Sequence, residues 1–215
     1  MIARIIFTLA IGLSSQGFAE TAGKFAKEHE AFVSSIKYLQ VDFDQEIYKA
    51  FRKKTTKRKG SALFSQPGYF AWKFVDPKYG EEEYYFNGTR LSRYLKKENA
   101  VTHYGTLANF TNELQQVVNL VLDPGKLLKS YDSLVLAKDK EKINYMLTPL
   151  KDQGAGIEHI KVTYSFKEKY ISMVAILYKE GNQAKYFFKN PVQKKPALDS
   201  FKFKNPGGVK ESSVG

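Results

Sequence analysis

The sequence predicts a mostly β domain arranged as an incomplete, half-open antiparallel barrel of about 11–12 strands capped by α-helices. Three observations carry this prediction. Short aromatic and β-branched segments follow one another with turn residues between them. Many of these segments alternate apolar with polar residues, so each has one greasy face and one wet face. Only two stretches have helical spacing, too few to cover a flat sheet with one apolar face, which must therefore curl on itself.

In chain order, residues 1–19 read as a cleaved secretory signal. Arg4 precedes the apolar run Ile5 to Leu13, and the small residues Gly17 and Ala19 precede a cut before Glu20. The run is far shorter than the roughly 20 residues that cross a bilayer. From Thr21 to Leu39, Phe25, Phe32, Val33, Ile36 and Leu39 recur near helical spacing, which predicts a first amphipathic helix. At about Gln40 the period changes to two, with Val41, Phe43, Gln45 and Ile47 alternating with acidic residues. Strands are predicted over 57–66, 69–75, 82–87, 90–95 and 100–104, with tight turns at Gln66-Pro67-Gly68 and Asn87-Gly88. Phe110, Leu114, Val117, Val118 and Val121 predict a second helix over 107–122, ended by Asp123-Pro124-Gly125. Strands resume over 131–137, 142–148, 157–166, 170–178, 183–189 and 199–204, and residues 205–215 read as a loose tail. With no repeat, linker or composition break, residues 20–215 are expected to form one domain, long enough for one sizeable core.

Composition narrows the function. The chain has no cysteine, which excludes a lipid-bearing cysteine, disulfides and thiolate metal sites. Its formal charge is +12, which favours anionic partners. Nucleic acid is disfavoured as a partner for an exported chain with no recognisable nucleic-acid module. His29, His103 and His159 lie far apart, in no metal or catalytic spacing, and there is no G-x-S-x-G elbow or phosphate loop. Glu81-Glu82-Glu83 reads as a solvated strand edge. A non-enzymatic protein without a cofactor is expected. The basic run of Arg52, Lys53, Lys54, Lys57, Arg58 and Lys59 reads as an aggregation-resistant hairpin tip, or as a docking patch for phospholipid head groups or an acidic membrane partner.

Several segments also resemble, in order, those of the outer-membrane lipoprotein carrier proteins, the LolA family, over nearly all of the mature chain. "VDFDQ" is similar to the family's F-x-Q strand, and "GSALFSQPGYFAWKFVDP" to its G-x-x-x-F-x-x-P-x-x-F-x-W-x-x-x-x-P core. "FNGTRLSRYLKKENAVTHY" resembles the D-G-x-x-L-x-x-Y hairpin, "YMLTPL" the V-L-T-P-K strand, and "FKFKNPGGVK" the closing F-x-F-x-P-x-G-V. The resemblance implies an unclosed antiparallel barrel with an α-helical lid over a hydrophobic cavity, acting as a monomeric carrier in the periplasm of a Gram-negative bacterium. It would bind lipoprotein acyl chains released by an inner-membrane ATP-driven transporter (an ABC transporter) and deliver them to an outer-membrane lipoprotein receptor. The nearest alternative is a carrier or sensor for another amphiphile, a glycolipid or phospholipid, on the same fold.

Phe70 matches the family's cavity phenylalanine, and strand parity then places Trp72 and Phe74 on the same face. The same parity adds Ala62 and Phe64 on the preceding strand and Phe43 and Ile47 on the first, with Phe110, Leu114 and Val118 from the lid. Gln66 stands where family members often carry a lid-gating arginine. It can still hydrogen-bond helix carbonyls, but without charge its grip should be weaker. Ser92 likewise replaces an aromatic residue common in the family's hairpin.

Overall fold

The computed structural model describes residues 36–76, 80–105, 112–122, 129–150 and 156–214. Twelve strands form a single sheet: β1 (Tyr38–Lys49), β2 (Lys54–Ser65), β3 (Tyr69–Asp76), β4 (Gly80–Phe86), β5 (Leu91–Leu95), β6 (Ala100–Tyr104), β7 (Tyr131–Lys138), β8 (Lys142–Pro149), β9 (Ile157–Ser165), β10 (Tyr170–Tyr178), β11 (Gln183–Val192) and β12 (Lys210–Val214). Among the described residues one α-helix, α1 (Asn112–Leu122), stands between β6 and β7. Strand order across the sheet is β12-β6-β5-β4-β3-β2-β1-β11-β10-β9-β8-β7. Two meanders, β1–β6 and β7–β11, are therefore joined by the pairing of β1 with β11, in which Phe43 faces Phe188 and Ile47 faces Ala184. The end strands β12 and β7 do not pair with each other, so the barrel stays open.

The sheet curls because one face is apolar along nearly every strand. Val41, Phe43, Phe64, Trp72, Phe86, Tyr145, Ile160, Val162, Val174 and Tyr186 come from both meanders and share one buried cluster. Each large side chain so buried is worth ~1.5–3 kcal/mol, which a flat sheet would forgo. Helix α1 adds Leu114, Val117, Val118, Leu120 and Val121 to this cluster and lies against β2 and β10, so it crosses the concave face.

Three expectations change. The alternation at residues 199–204 is real, but Leu198–Phe201 form a 3-10 turn and the segment joins no strand. Instead it runs over the convex face. Phe201 packs into a second cluster with Ala71 and Tyr85, and Phe203 lies 5.0 Å from Tyr94. A period of two says that a segment has an apolar side; it does not say whether that side faces a sheet or belongs to one. The expected tail contains β12, which pairs in parallel with β6, Lys210 beside Ala100 and Val214 beside Tyr104. The predicted first helix falls mostly outside the described residues, and Tyr38 and Leu39 at its end already belong to β1. The signal segment 1–19 and Phe110 also lie outside the described residues.

Candidate functional site: the concave face

The centre of the concave face is an aromatic stack built by register. β1 and β2 pair so that Phe43 lies opposite Gly60, and β2 and β3 so that Gly60 lies opposite Phe74. With no side chain at Gly60, the Phe43 ring settles over the glycine. A Cβ placed there would meet Phe43 Cζ at 2.5 Å and the Lys73 carbonyl oxygen at 1.9 Å. The Phe43 ring centroid is then 4.5 Å from Trp72 and 5.3 Å from Phe74, the latter edge-on. Phe64 lies 6.0 Å from Trp72, and Phe70 stacks on Phe86 at 5.7 Å. From the other meander, Tyr186 and Phe188 close on Trp72 at 5.6 and 6.1 Å. Trp72 is fully buried, and its indole Nε1 has no hydrogen-bond partner among the described residues.

The structure thus brings together Phe43, Ala62, Phe64, Phe70, Trp72, Phe74, Leu114 and Val118, all buried in one cluster. Ile47 keeps the inward parity but is only half-buried, near the β1–β2 tip. Gln66 is also half-buried. Its backbone N–H donates to the Lys37 carbonyl at 2.9 Å and its own carbonyl accepts from Ser65 Oγ at 3.2 Å. Ser92, on the convex face, bonds His103 Nδ1 at 2.8 Å, and His103 Nε2 lies 3.7 Å from Glu211 of β12. His103 is buried in a structural tie to the last strand.

The basic run divides. Arg52, Lys53 and Lys54 are exposed at the β1–β2 tip, a turn closed by the Lys53 N–H to the Ala50 carbonyl at 3.1 Å. Phe51 stands among them 99% exposed. Lys57 and Lys59 are also exposed, Lys57 pairing with Glu46 at 2.6 Å. Arg58 belongs to the other face. It is half-buried, its guanidinium sits 3.8 Å over the Phe74 ring, and it donates to Glu82 Oε2 at 2.8 Å. The acidic trio likewise is not a solvated edge, because β4 lies between β3 and β5. Glu81 pairs with Lys96 at 2.7 Å, and Glu83 lies 3.7 Å from Lys73 and accepts a hydrogen bond from Tyr85 at 2.5 Å. Glu82 turns into the concave face and accepts from Tyr84 Oη at 2.6 Å and from Arg93 Nε at 2.8 Å. Burial raises the Glu82 pKa, but the hydrogen bonds from Tyr84, Arg58 and Arg93 outweigh it and hold the carboxyl below its usual value. Sequence reasoning missed Glu82, Arg93 and Tyr84 as one group. Counting by twos from Phe86 before the Asn87-Gly88 turn would have placed Tyr84 and Glu82 on the inner face.

An apolar, helix-covered concave face on an open twelve-stranded sheet is the geometry with which known proteins can be compared. Residues 34–204 match the family described as Outer membrane lipoprotein carrier protein LolA. The chain belongs to this family. It is 25% identical over 225 residues to the outer-membrane lipoprotein carrier protein of Cupriavidus necator, covering 96% of each chain. An uncharacterized conserved protein from Thermus thermophilus shares the fold, with a TM-score of 0.61 at 9% identity over 88% of this chain and 99% of that one. A DUF1329 family protein from Desulfovibrio piger is similar at a TM-score of 0.50 and 12% identity, over 85% of this chain and 95% of that one. Members of the LolA family are carriers, not enzymes. Among the described residues no group of three or more His, Asp or Glu side chains could hold a metal ion.

Proposed function

We propose that this chain is a monomeric periplasmic carrier that accepts lipoprotein acyl chains from an inner-membrane ATP-driven transporter and yields them to an outer-membrane receptor, with residues 1–19 serving as a cleaved export signal and residues 20–215 as one domain. The observation that carries the reading is the aromatic interior of Phe43, Phe64, Phe70, Trp72 and Phe74 lying under α1. A lipoprotein with several acyl chains is anchored at about 0.8 kcal/mol per buried CH₂, so it crosses water only inside an apolar surface of similar extent. Phe110, Leu114 and Val118 belong to the lid in this reading, with Ile47 at its margin.

The interior is filled by the protein's own side chains, so cargo must displace them and the lid, and affinity falls by the cost of opening. Loading then calls for an energised donor, while release needs only a better acceptor. Gln66, uncharged, would hold the lid less firmly than an arginine. The tip bearing Arg52, Lys53, Lys54, Lys57 and Lys59, with Phe51 exposed among them, would dock on anionic lipid; Arg58, turned inward, is left out of that surface. The test combines membranes carrying a triacylated lipoprotein and the matching transporter with ATP. Release of the lipoprotein as a soluble one-to-one complex is expected. No release, with the protein folded and the transporter active, would refute the reading and favour another amphiphile.

A further inference from the structure

We propose that Arg58, Glu82, Tyr84 and Arg93 form a head-group subsite, at the rim of the apolar interior, for an amphiphile whose head carries a phosphate. The inference rests on the carrier reading only for its apolar interior and goes beyond it in the ligand, since the acylated end of a lipoprotein carries no phosphate. Three features support it.

The first is position. Arg58 stacks on Phe74 at 3.8 Å, and Phe74 is in ring contact with Phe43 and Trp72 at 5.3 and 6.1 Å. An acyl chain lying against Phe43 and Trp72 therefore ends at a guanidinium. Glu82 on β4 lies opposite Phe74, and Arg93 on β5 lies opposite Tyr84. The four side chains thus line one rim of the concave face across β2, β4 and β5.

The second is charge. Two guanidiniums share one carboxylate: Arg58 bonds Oε2 at 2.8 Å, while Arg93 Nη2 and Tyr84 Oη crowd Oε1, each at 2.6 Å. The cluster carries a formal +1. The neighbouring carboxylates Glu81 and Glu83 lie on the opposite face, engaged with Lys96 and Lys73. A charge imbalance beside an apolar surface favours an anion, and arginine's planar fork suits phosphate oxygens.

The third is accessibility. The Arg93 side chain keeps 39% of its surface exposed, so a head group can reach it without unfolding the rim. A purely structural pair has no need of a second arginine, since a buried ion pair is often no more stable than packed apolar side chains.

Trp72 is the single tryptophan of the chain, so its emission reports occupancy of the interior without a label. The experiment titrates the full mature chain with lysophosphatidylglycerol and with a monoacylglycerol of the same acyl length, below their micelle concentrations. Wild-type protein should bind the phospholipid about tenfold more tightly, the worth of one charge-assisted hydrogen-bond pair. Arg93→Gln should remove that preference and leave monoacylglycerol binding unchanged, and Arg93→Lys should restore part of it. Glu82→Gln, which raises the local charge, should tighten the phospholipid further. The opposite signs separate recognition from structure, because a merely structural cluster would weaken both ligands in both variants. Parallel losses, or equal wild-type affinity for the two lipids, would overturn the subsite and leave the carrier reading standing. Failure of both lipids to alter Trp72 emission would also overturn the subsite, while the carrier reading stands or falls on transporter-driven release of the lipoprotein.

Discussion

Among the described glycines, Gly60 leaves the least room for an added methyl group, and replacing it with alanine should be strongly destabilising. The Cβ it adds would lie 1.9 Å from the Lys73 carbonyl oxygen of β3, backbone held in the β2–β3 pairing, and 2.5 Å from Phe43 Cζ. Contacts that close do not occur, so β2 must move away from β3 and the Phe43 ring must leave its place over residue 60. That ring lies 4.5 Å from Trp72, so the shift reaches the centre of the interior. Overpacking of a well-packed core costs ~1–3 kcal/mol, and the unyielding carbonyl puts this change at about the upper end, ~3 kcal/mol. For a chain of this size a destabilisation of 1 kcal/mol lowers Tm by about 2–4 °C, so a fall of roughly 6–12 °C is expected. Differential scanning calorimetry would measure it, and Trp72 emission would show whether its packing changes below the transition. Shrinking the ring in the double variant Gly60→Ala, Phe43→Leu relieves the ring contact but not the carbonyl, so stability should stay below wild type. A Gly60→Ala protein melting within about 2 °C of wild type would refute this reasoning, since it would mean that the glycine is not what lets β2 and β3 approach.

Two further outcomes follow from the charges. The folded state holds the Glu82 carboxyl below its usual value, so its contribution is present above the ordinary carboxylate pKa of 4.5 and is lost as pH falls through the lower folded value. Tm should therefore drop on acidification below about pH 4.5, and less steeply in Glu82→Gln; equal slopes from pH 6 to 3 would remove Glu82 from the account. At the β1–β2 tip, Phe51→Ser should weaken co-sedimentation with anionic vesicles several-fold. Reversing Arg52 and Lys53 to glutamate should weaken it further, at about 1 kcal/mol per cation, with little effect on zwitterionic vesicles; unchanged binding in both variants would exclude the tip as a membrane contact.

What can be read in the sequence, and what cannot, follows from which interactions are local. Strand parity is local: once Phe70 is taken as inward, Trp72, Phe74, Phe64 and Phe43 follow by counting and register, and all are buried in one cluster. Turn chemistry is local as well, and Gln66-Pro67-Gly68 and Asn87-Gly88 separate β2 from β3 and β4 from β5. The parallel pairing of β12 with β6 joins residues about a hundred positions apart through five exposed, mostly polar residues, so no hydrophobic pattern announces it. Arg58 is misread for a related reason. A run of six cations within eight residues reads as one surface, whereas in a strand each step of one residue reverses the face. Lys57 and Lys59 therefore stay in water while Arg58 lies over Phe74. A charge inside such a run enters a curled sheet only where a partner on another strand receives it, and the partner here, Glu82, is hidden in the same way inside the acidic trio. Two like-charged runs, each alternating across a strand, thus deliver one member apiece to the concave face, where the sheet's curvature brings them together beside Phe74.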